Sequence, residues 1–184
     1  KFRSKQIAEW LWKKNARTID EMTNLSQRTR SLLADNFSLH RLQVTEEQKS
    51  TDGTIKSAIK LMDDAVIEGV LIPTSKRTTA CISSQVGCSL TCKFCATGSL
   101  KLKRNLFADE IVDQVVLING QAQERYGKNL SNIVYMGMGE PLLNYKQVMK
   151  SVDIITSPDG LGMSPRRITI STAGIAKMIK KMGD

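Results

Sequence analysis

The sequence predicts an α/β protein whose C-terminal part is a segment of a parallel barrel. Strand-like and helix-like stretches alternate there in the order β-α-β-α-β-α, which calls for parallel strands with helices packed outside. Two further observations set what precedes it. Apolar residues near the N-terminus recur at helical spacing, and strand-like runs between 42 and 75 are punctuated by Asp-Gly and Asp-Asp turns. The expected units are a helical accessory domain over 1–41, a hairpin and strand extension over 42–75, and the core over 76–184.

Ile7, Trp10 and Leu11 share one helical face, with Lys5, Lys13 and Lys14 elsewhere. Phe2, Arg3, Trp10, Trp12, Lys13 and Lys14 mingle aromatic and basic character. They read as core aromatics beside a solvated face or, less simply, as a nucleic-acid surface. Thr18-Ile19-Asp20-Glu21 has capping-box form and predicts a short second helix. A third is expected from Ser26 to Asn36, with Leu25, Leu32 and Leu33 facing inward. His40, the only histidine, has no local ligand partner and reads as structural or exposed.

Val44 to Lys49 and Ile55 to Met62 flank Thr51-Asp52-Gly53-Thr54 and predict a hairpin, because Asp-Gly supplies the turn conformation. Asp63-Asp64 turns the chain into a strand from Ala65 to Ile72, closed by Pro73. A strand from Thr78 to Ser83 and a basic loop follow. Then come an amphipathic helix from Phe107 to Tyr126, with Ile111, Val115 and Ile118 in line, and a buried-type strand from Leu130 to Met136. A helix from Tyr145 to Ile155, a strand from Arg167 to Ser171 and a helix starting near Ile175 complete the order.

The hydrophobic fraction of 41% suffices for a packed core, and no apolar run reaches membrane-spanning length. No signal-peptide pattern opens the chain, which starts at Lys1 rather than Met, so a trimmed or partial product is expected. Clustered cysteines then read as metal-binding or redox-active in a reducing cytoplasm. The 27 basic and 18 acidic residues give a net charge of +9. Lys76, Arg77, Lys93, Lys101, Lys103 and Arg104 fall between Lys76 and Ala108, where there is no acidic residue. Such a field suits a polyanion such as RNA, or offsets a negative thiolate-bound centre, and charge alone does not choose.

Chemistry concentrates in Cys88-Ser89-Leu90-Thr91-Cys92-Lys93-Phe94-Cys95. A C-x3-C-x2-C loop can present three thiolates to one centre. Structural zinc normally takes four protein ligands, whereas an iron–sulfur cube held by three leaves one iron open to a small molecule. Cys81, on the strand before, reads as a small buried residue, a fourth metal ligand or a redox partner. Glu68 lies among Val66, Ile67, Val70 and Leu71; strand alternation puts it on a solvent face, or in a cavity where it could act as a general base. Met136-Gly137-Met138-Gly139-Glu140-Pro141 follows a strand, where glycines allow a ligand's close approach at the C-terminal edge of a parallel sheet.

The cysteine triplet, with Phe94 before its last member, resembles the radical S-adenosylmethionine (SAM) superfamily, and Gly139-Glu140-Pro141 resembles the end of that superfamily's second motif. The likeness narrows further. Cys81-Ile-Ser-Ser-Gln-Val-Gly-Cys88, Cys92-Lys-Phe-Cys95-Ala-Thr-Gly98, Met136-Gly-Met-Gly-Glu-Pro-Leu-Leu-Asn144 and Ser164-Pro-Arg-Arg-Ile-Thr-Ile-Ser-Thr172 resemble the RlmN/Cfr family of RNA adenine methyltransferases. That resemblance implies a partial (β/α)6 barrel and a [4Fe–4S] cluster on Cys88, Cys92 and Cys95, whose free iron chelates SAM. It implies cofactor contacts at Gly139, Glu140 and Ser171, Glu68 as proton acceptor, and Cys81 as the partner in a transient disulfide. It further implies a route in which one SAM methylates a second cysteine and another is reductively cleaved to a radical that activates this methyl group for addition to adenine. Carbon 2 of adenine is electron-poor, so a carbon radical reaches it where polar methyl transfer would not.

The implied partners are 23S rRNA and tRNA and an electron donor such as flavodoxin, with a monomeric, cytoplasmic full-length protein and no membrane. One departure stands out. The methyl-carrying cysteine belongs to the family's C-terminal region, and this chain has no cysteine after Cys95. Complete methyl transfer is therefore not expected of these residues alone. Pro141-Leu142-Leu143-Asn144 favours carbon 2 over the carbon-8 chemistry of the Cfr branch. A different class, a non-catalytic zinc module on Cys81, Cys88, Cys92 and Cys95, leaves the glycine motif unexplained.

Overall fold

Alternation along the strands decides which face of the central sheet is buried. In this computed structural model, which describes residues 2–14, 16, 18–37, 39 and 42–183, the strands are β1 (Gln43–Lys49), β2 (Ile55–Lys60), β3 (Val66–Pro73), β4 (Thr78–Cys81), β7 (Asn132–Tyr135) and β8 (Ile168–Ile170). They form one sheet in the order β1-β2-β3-β4-β7-β8. The pairs β1–β2, β2–β3 and β3–β4 are antiparallel, and β4–β7 and β7–β8 are parallel. A separate two-stranded ribbon joins β5 (Gln85–Val86) to β6 (Arg104–Asn105).

Ile55, Ile59, Ile67, Leu71, Ala80, Ile133 and Tyr135 turn to the buried face. There they meet Ile111, Val115 and Ile118 of α3 (Ala108–Tyr126) and Val148 and Ile155 of α4 (Tyr145–Thr156). Burying each such isoleucine stabilises the fold by about 2 kcal/mol. Gly69 lets α3 approach: a Cβ there would sit 2.9 Å from Ile59 Cδ1 and 3.1 Å from Ile118 Cδ1. The opposite face, carrying Lys56, Glu68, Val70, Cys81, Val134 and Thr169, remains at least partly exposed. It corresponds to the inside of the expected half-barrel.

The hairpin forms as the Asp-Gly signal predicts. Gly53 adopts φ +87°, and the Asp52 carboxylate accepts from the Thr54 N–H at 2.9 Å and its hydroxyl at 3.1 Å. Those bonds hold the Asp52 carboxyl below the usual carboxylate range. The ladder beyond β4 is continued by a side chain. Ser83 donates its N–H to Gln114 Oε1 at 2.8 Å, and its carbonyl accepts from Gln114 Nε2 at 3.1 Å. Gln114 thus satisfies a buried backbone from within α3.

The N-terminal residues build their own small core. Ile7, Trp10 and Leu11, from α1 (Phe2–Ala8) and the π-helical turn Glu9–Lys13, pack on Ala16, Met22 and Leu25. Trp12 packs against the main core instead. The helix expected at Thr18 is replaced by turns. Glu21 does accept from the Thr18 N–H at 3.0 Å, but the Thr18 hydroxyl donates to the same carboxylate at 3.1 Å and leaves no cap for an N3 amide. The next helix, α2 (Gln27–Asn36), is capped by Ser26, whose hydroxyl accepts from the Thr29 N–H. Leu25 and Leu33 face the small core as expected, whereas Leu32 is 63% exposed, because the half-buried face of α2 runs through Thr29, Arg30 and Leu33. His40 lies outside the described residues. No helix among the described residues is long and apolar enough to cross a membrane.

Candidate active site

The cysteine loop hangs from the C-terminal end of β4. Beyond Cys81 the chain runs buried through Ser83, Ser84, Gln85 and Val86, then turns at Gly87 with φ +76°. Lys103 N–H donates to Val86 O at 2.8 Å and Cys88 N–H to Leu100 O at 3.4 Å, closing the base of the loop. Inside it, Cys95 N–H donates to Cys92 O at 3.1 Å and Gly98 N–H to Cys95 O at 2.9 Å. A Cβ on Gly98 would stand 2.7 Å from the Cys92 carbonyl oxygen, so the backbone is drawn in tightly. Cys88 Sγ accepts from Leu90 N–H at 3.4 Å.

All four cysteines are free thiols; Cys81, Cys88 and Cys92 are half-buried and Cys95 is exposed. Phe94 is 94% exposed. Among the described residues no three Cys, His, Asp or Glu side chains converge closely enough to hold a metal ion. The three loop thiols therefore share a loop without sharing a point. As a donor set they suit a thiophilic centre: none is tied up in a disulfide, and Cys95 stands exposed at the loop surface.

Arg104 anchors the ribbon beneath this loop. Its guanidinium donates to Asp63 at 2.7 and 3.0 Å and to Glu110 at 2.8 Å through both terminal nitrogens. It thereby ties β6 to the β2–β3 turn and to the first turn of α3. Bidentate guanidinium bonding holds the Asp63 carboxyl down at about 2. A carboxylate whose folded pKa is depressed stabilises the fold above its unfolded value near 3.9 and loses that contribution as pH falls toward 2. Asp63→Asn should therefore lower the melting temperature at pH 6 but not at pH 2. The side chain is 49% exposed, so screening keeps the effect to about 1 kcal/mol or less. Paired melting curves across that range check it.

The glycine-rich stretch after β7 is stitched to the same region. Gly139 has φ +94°, and a Cβ there would stand 2.4 Å from Gln85 Cβ. Gln85 Oε1 accepts from Glu140 N–H at 2.8 Å, while its Nε2 donates to Asn105 at 2.7 Å. Glu140 is buried, and both its carboxylate oxygens are engaged: Oε1 accepts from Leu142 N–H at 2.9 Å, Oε2 from Ala173 N–H at 2.7 Å. This carboxylate draws the turn after β8, with the exposed Ser171, against the turn after β7. Glu140→Gln keeps the shape but sets an amide nitrogen against one backbone donor. A loss of about 2 kcal/mol is expected, read as a lower melting temperature and faster hydrogen exchange at Ala173.

On the open face, register brings the remaining candidates together. Cys81 of β4 lies opposite Val70 of β3, and Glu68 is two residues along β3 on the same side. Burial pushes the Cys81 thiol pKa up, with the Met136 backbone opposing in part, so the sulfur stays protonated. The half-exposed Glu68 carboxylate pairs with Lys56 Nζ at 3.1 Å. Sequence reasoning missed Gln85, Gln114 and Lys56 as supporting groups, and took Arg104 only as part of the basic field, whereas it is committed to Asp63 and Glu110. Gln114 alone left a signal, since it falls on the Ile111–Val115–Ile118 stripe where an unpartnered amide would be costly.

This arrangement at the C-terminal ends of three parallel strands matches a known family over most of the chain. Residues 82–184 match the family described as the Radical SAM superfamily. The chain belongs to the radical SAM superfamily. Residues 1–39 also match a family described as the ribosomal RNA large subunit methyltransferase N-terminal domain. Among radical SAM relatives, the probable dual-specificity RNA methyltransferase RlmN of Christiangramia forsetii is 60% identical over 183 residues, covering 100% of this chain and 52% of the relative. Its counterpart from Cytophaga hutchinsonii is 61% identical over 183 residues, covering 100% and 50%. A solved radical SAM methyltransferase from Sphaerobacter thermophilus superposes with a TM-score of 0.92 at 42% identity, covering 98% of this chain and 53% of that one. The chain spans about half the length of the relatives it matches, and the three parallel strands are those of a partial radical SAM barrel.

Proposed function

We propose that this chain is the N-terminal part of an enzyme that methylates carbon 2 of adenine in 23S rRNA and tRNA. One observation carries the reading: Cys81 and Glu68 stand on the open face of adjacent strands, at the sheet edge from which the cysteine loop and Gly139-Glu140 also emerge. Similarity to proteins named dual-specificity RNA methyltransferases supports RNA as the substrate.

Cys88, Cys92 and Cys95 would hold a [4Fe–4S] cluster. Gly139, Glu140 and Ser171 would face the methionine end of SAM, Glu140 chiefly by holding the two turns together. When bound, the pair supplies radical chemistry, which a non-nucleophilic ring carbon requires. Glu68 accepts the proton that leaves carbon 2, from a position a splayed-out base can cover. Cys81 rests as a thiol and later forms a transient disulfide with the methyl-carrying cysteine, which lies outside this chain. Lys93, Lys101 and Lys103 are exposed around the loop and suit phosphate contacts, whereas Arg104 is already committed to Asp63 and Glu110. Residues 1–41 would form the accessory unit. A reductant of the flavodoxin type, a cytoplasmic setting and a monomeric full chain complete the reading.

The test is anaerobic reconstitution of the full chain with iron and sulfide, followed by electron paramagnetic resonance with and without SAM. A cubane signal altered by SAM, together with 2-methyladenosine in digested ribosomal RNA and tRNA, is the expected result. 8-Methyladenosine would move the enzyme to the carbon-8 branch. A colourless protein holding one zinc ion would overturn the radical reading.

A further inference from the structure

Among the charged side chains on the open sheet face, Lys56 has no part in the chemistry above. It extends from β2 toward β3, and its ammonium lies 3.1 Å from Glu68 Oε1. The contact is diagonal: in register Lys56 faces Val70, and Glu68 faces Ala58. Val70 in turn faces Cys81, so the ammonium, the carboxylate and the thiol leave the same face of three consecutive strands. The next lysine on that face does not compete, because Lys60 is held by Asp64 at 2.6 Å.

Stability does not explain this pair. Its side chains are 43% and 50% exposed, and solvent-screened ion pairs of that kind contribute little to stability. What changes its worth is a base laid over the sheet. Covering an unpaired carboxylate with an aromatic ring strips its water and leaves the charge uncompensated, whereas a carboxylate already bonded to an ammonium keeps a partner when the water leaves. The ammonium also settles geometry. With Oε1 held by Lys56, Oε2 is the atom left to take a proton, and the side chain loses the rotamer freedom of an exposed glutamate.

We infer that Lys56 is a positioning residue for the reaction: it holds the Glu68 carboxylate oriented and compensated on the open face beside Cys81 while adenine covers it. This rests on the proton-acceptor role proposed for Glu68. Lys56 touches neither the leaving proton nor the reacting carbon and acts through the carboxylate.

The test is a double-mutant cycle in the reconstituted full chain, measuring single-turnover methylation rate, RNA affinity and melting temperature. Glu68→Gln should slow methylation by about a hundredfold. Lys56→Met should slow it about tenfold with RNA affinity unchanged, Lys56→Arg should restore most of the rate, and Lys56→Met should add less than about twofold in the Glu68→Gln background. Its melting temperature should stay within about 2 °C of the parent. Equal losses in both backgrounds, or weakened RNA binding at an unchanged rate, would overturn the inference and make Lys56 a phosphate contact. An unaltered rate in Glu68→Gln would instead remove the role proposed for Glu68.

Discussion

Cys92→Ala should abolish RNA methylation by the full chain and leave the cofactor-free protein as stable as its parent. The two halves of that expectation come from different parts of the structure. Cys92 contributes to the loop through its backbone: its carbonyl oxygen accepts from Cys95 N–H, and Gly98 packs against its main chain. Alanine preserves all of this. The half-buried thiol is not disulfide-bonded, so its loss should cost well under about 1 kcal/mol and move the melting temperature by about 2 °C or less. With the thiol gone, the loop offers two donors, and a cluster needing three protein ligands has no seat. Iron content, the resonance signal and methylation should vanish together. A variant that still methylated RNA would remove Cys92 from the ligand set; one that melted far lower would make the thiol structural.

Gly87→Ala should have the opposite profile. Gly87 sits at φ +76°, a region that costs a non-glycine residue on the order of 1 kcal/mol or more. The larger obstacle is space. A Cβ would lie 2.1 Å from the carbonyl oxygen of Lys101 and 2.9 Å from its carbon. Both are backbone atoms in a segment held by Leu100 O to Cys88 and by Lys103 N–H to Val86, so the neighbour cannot swing aside as a side chain would. Overpacking against fixed backbone adds about 1–3 kcal/mol, for a total near 3 kcal/mol, or about 6–12 °C in melting temperature for a chain of this size. The loop is then released at its base, and iron incorporation should fall although every cysteine is present. A melting temperature within about 2 °C of the parent would show that the ribbon yields more easily than its bonding suggests.

Much of this architecture was legible in residue order. The Asp52-Gly53 turn, the parallel β-α alternation and the α3 stripe through Ile111, Val115 and Ile118 all rest on local rules, and local rules need no partner. The helix expected at Thr18 shows their limit. The same Thr18–Glu21 contact serves a helix cap or a tight turn, and packing around Met22 and Leu25 sits with the turn. Leu32 is a similar case, since a short helix offers several near-equivalent faces until a neighbour selects one.

The candidate site divides along the same line. Its cysteines and glycines were visible because their spacing within a few residues is itself the signal. The groups that hold them were not. Gln85 reaches Glu140 and Asn105, Gln114 reaches Ser83, and Arg104 reaches Asp63, each across a large separation in sequence.

By itself, then, the sequence determined the α/β class, the β-α alternation of the parallel half, the cysteine loop and the glycine-rich turn at the strand ends. Those follow from periodicity and from the conformational freedom of glycine, both properties of short stretches. Tertiary structure alone decided that Glu68 and Cys81 share an open face, that Glu140 spends both oxygens joining two turns, and that Lys56 stands beside Glu68. Register and burial arise only when distant segments meet; on the strands, a one-residue shift would turn Lys56, Glu68 and Cys81 to the other face.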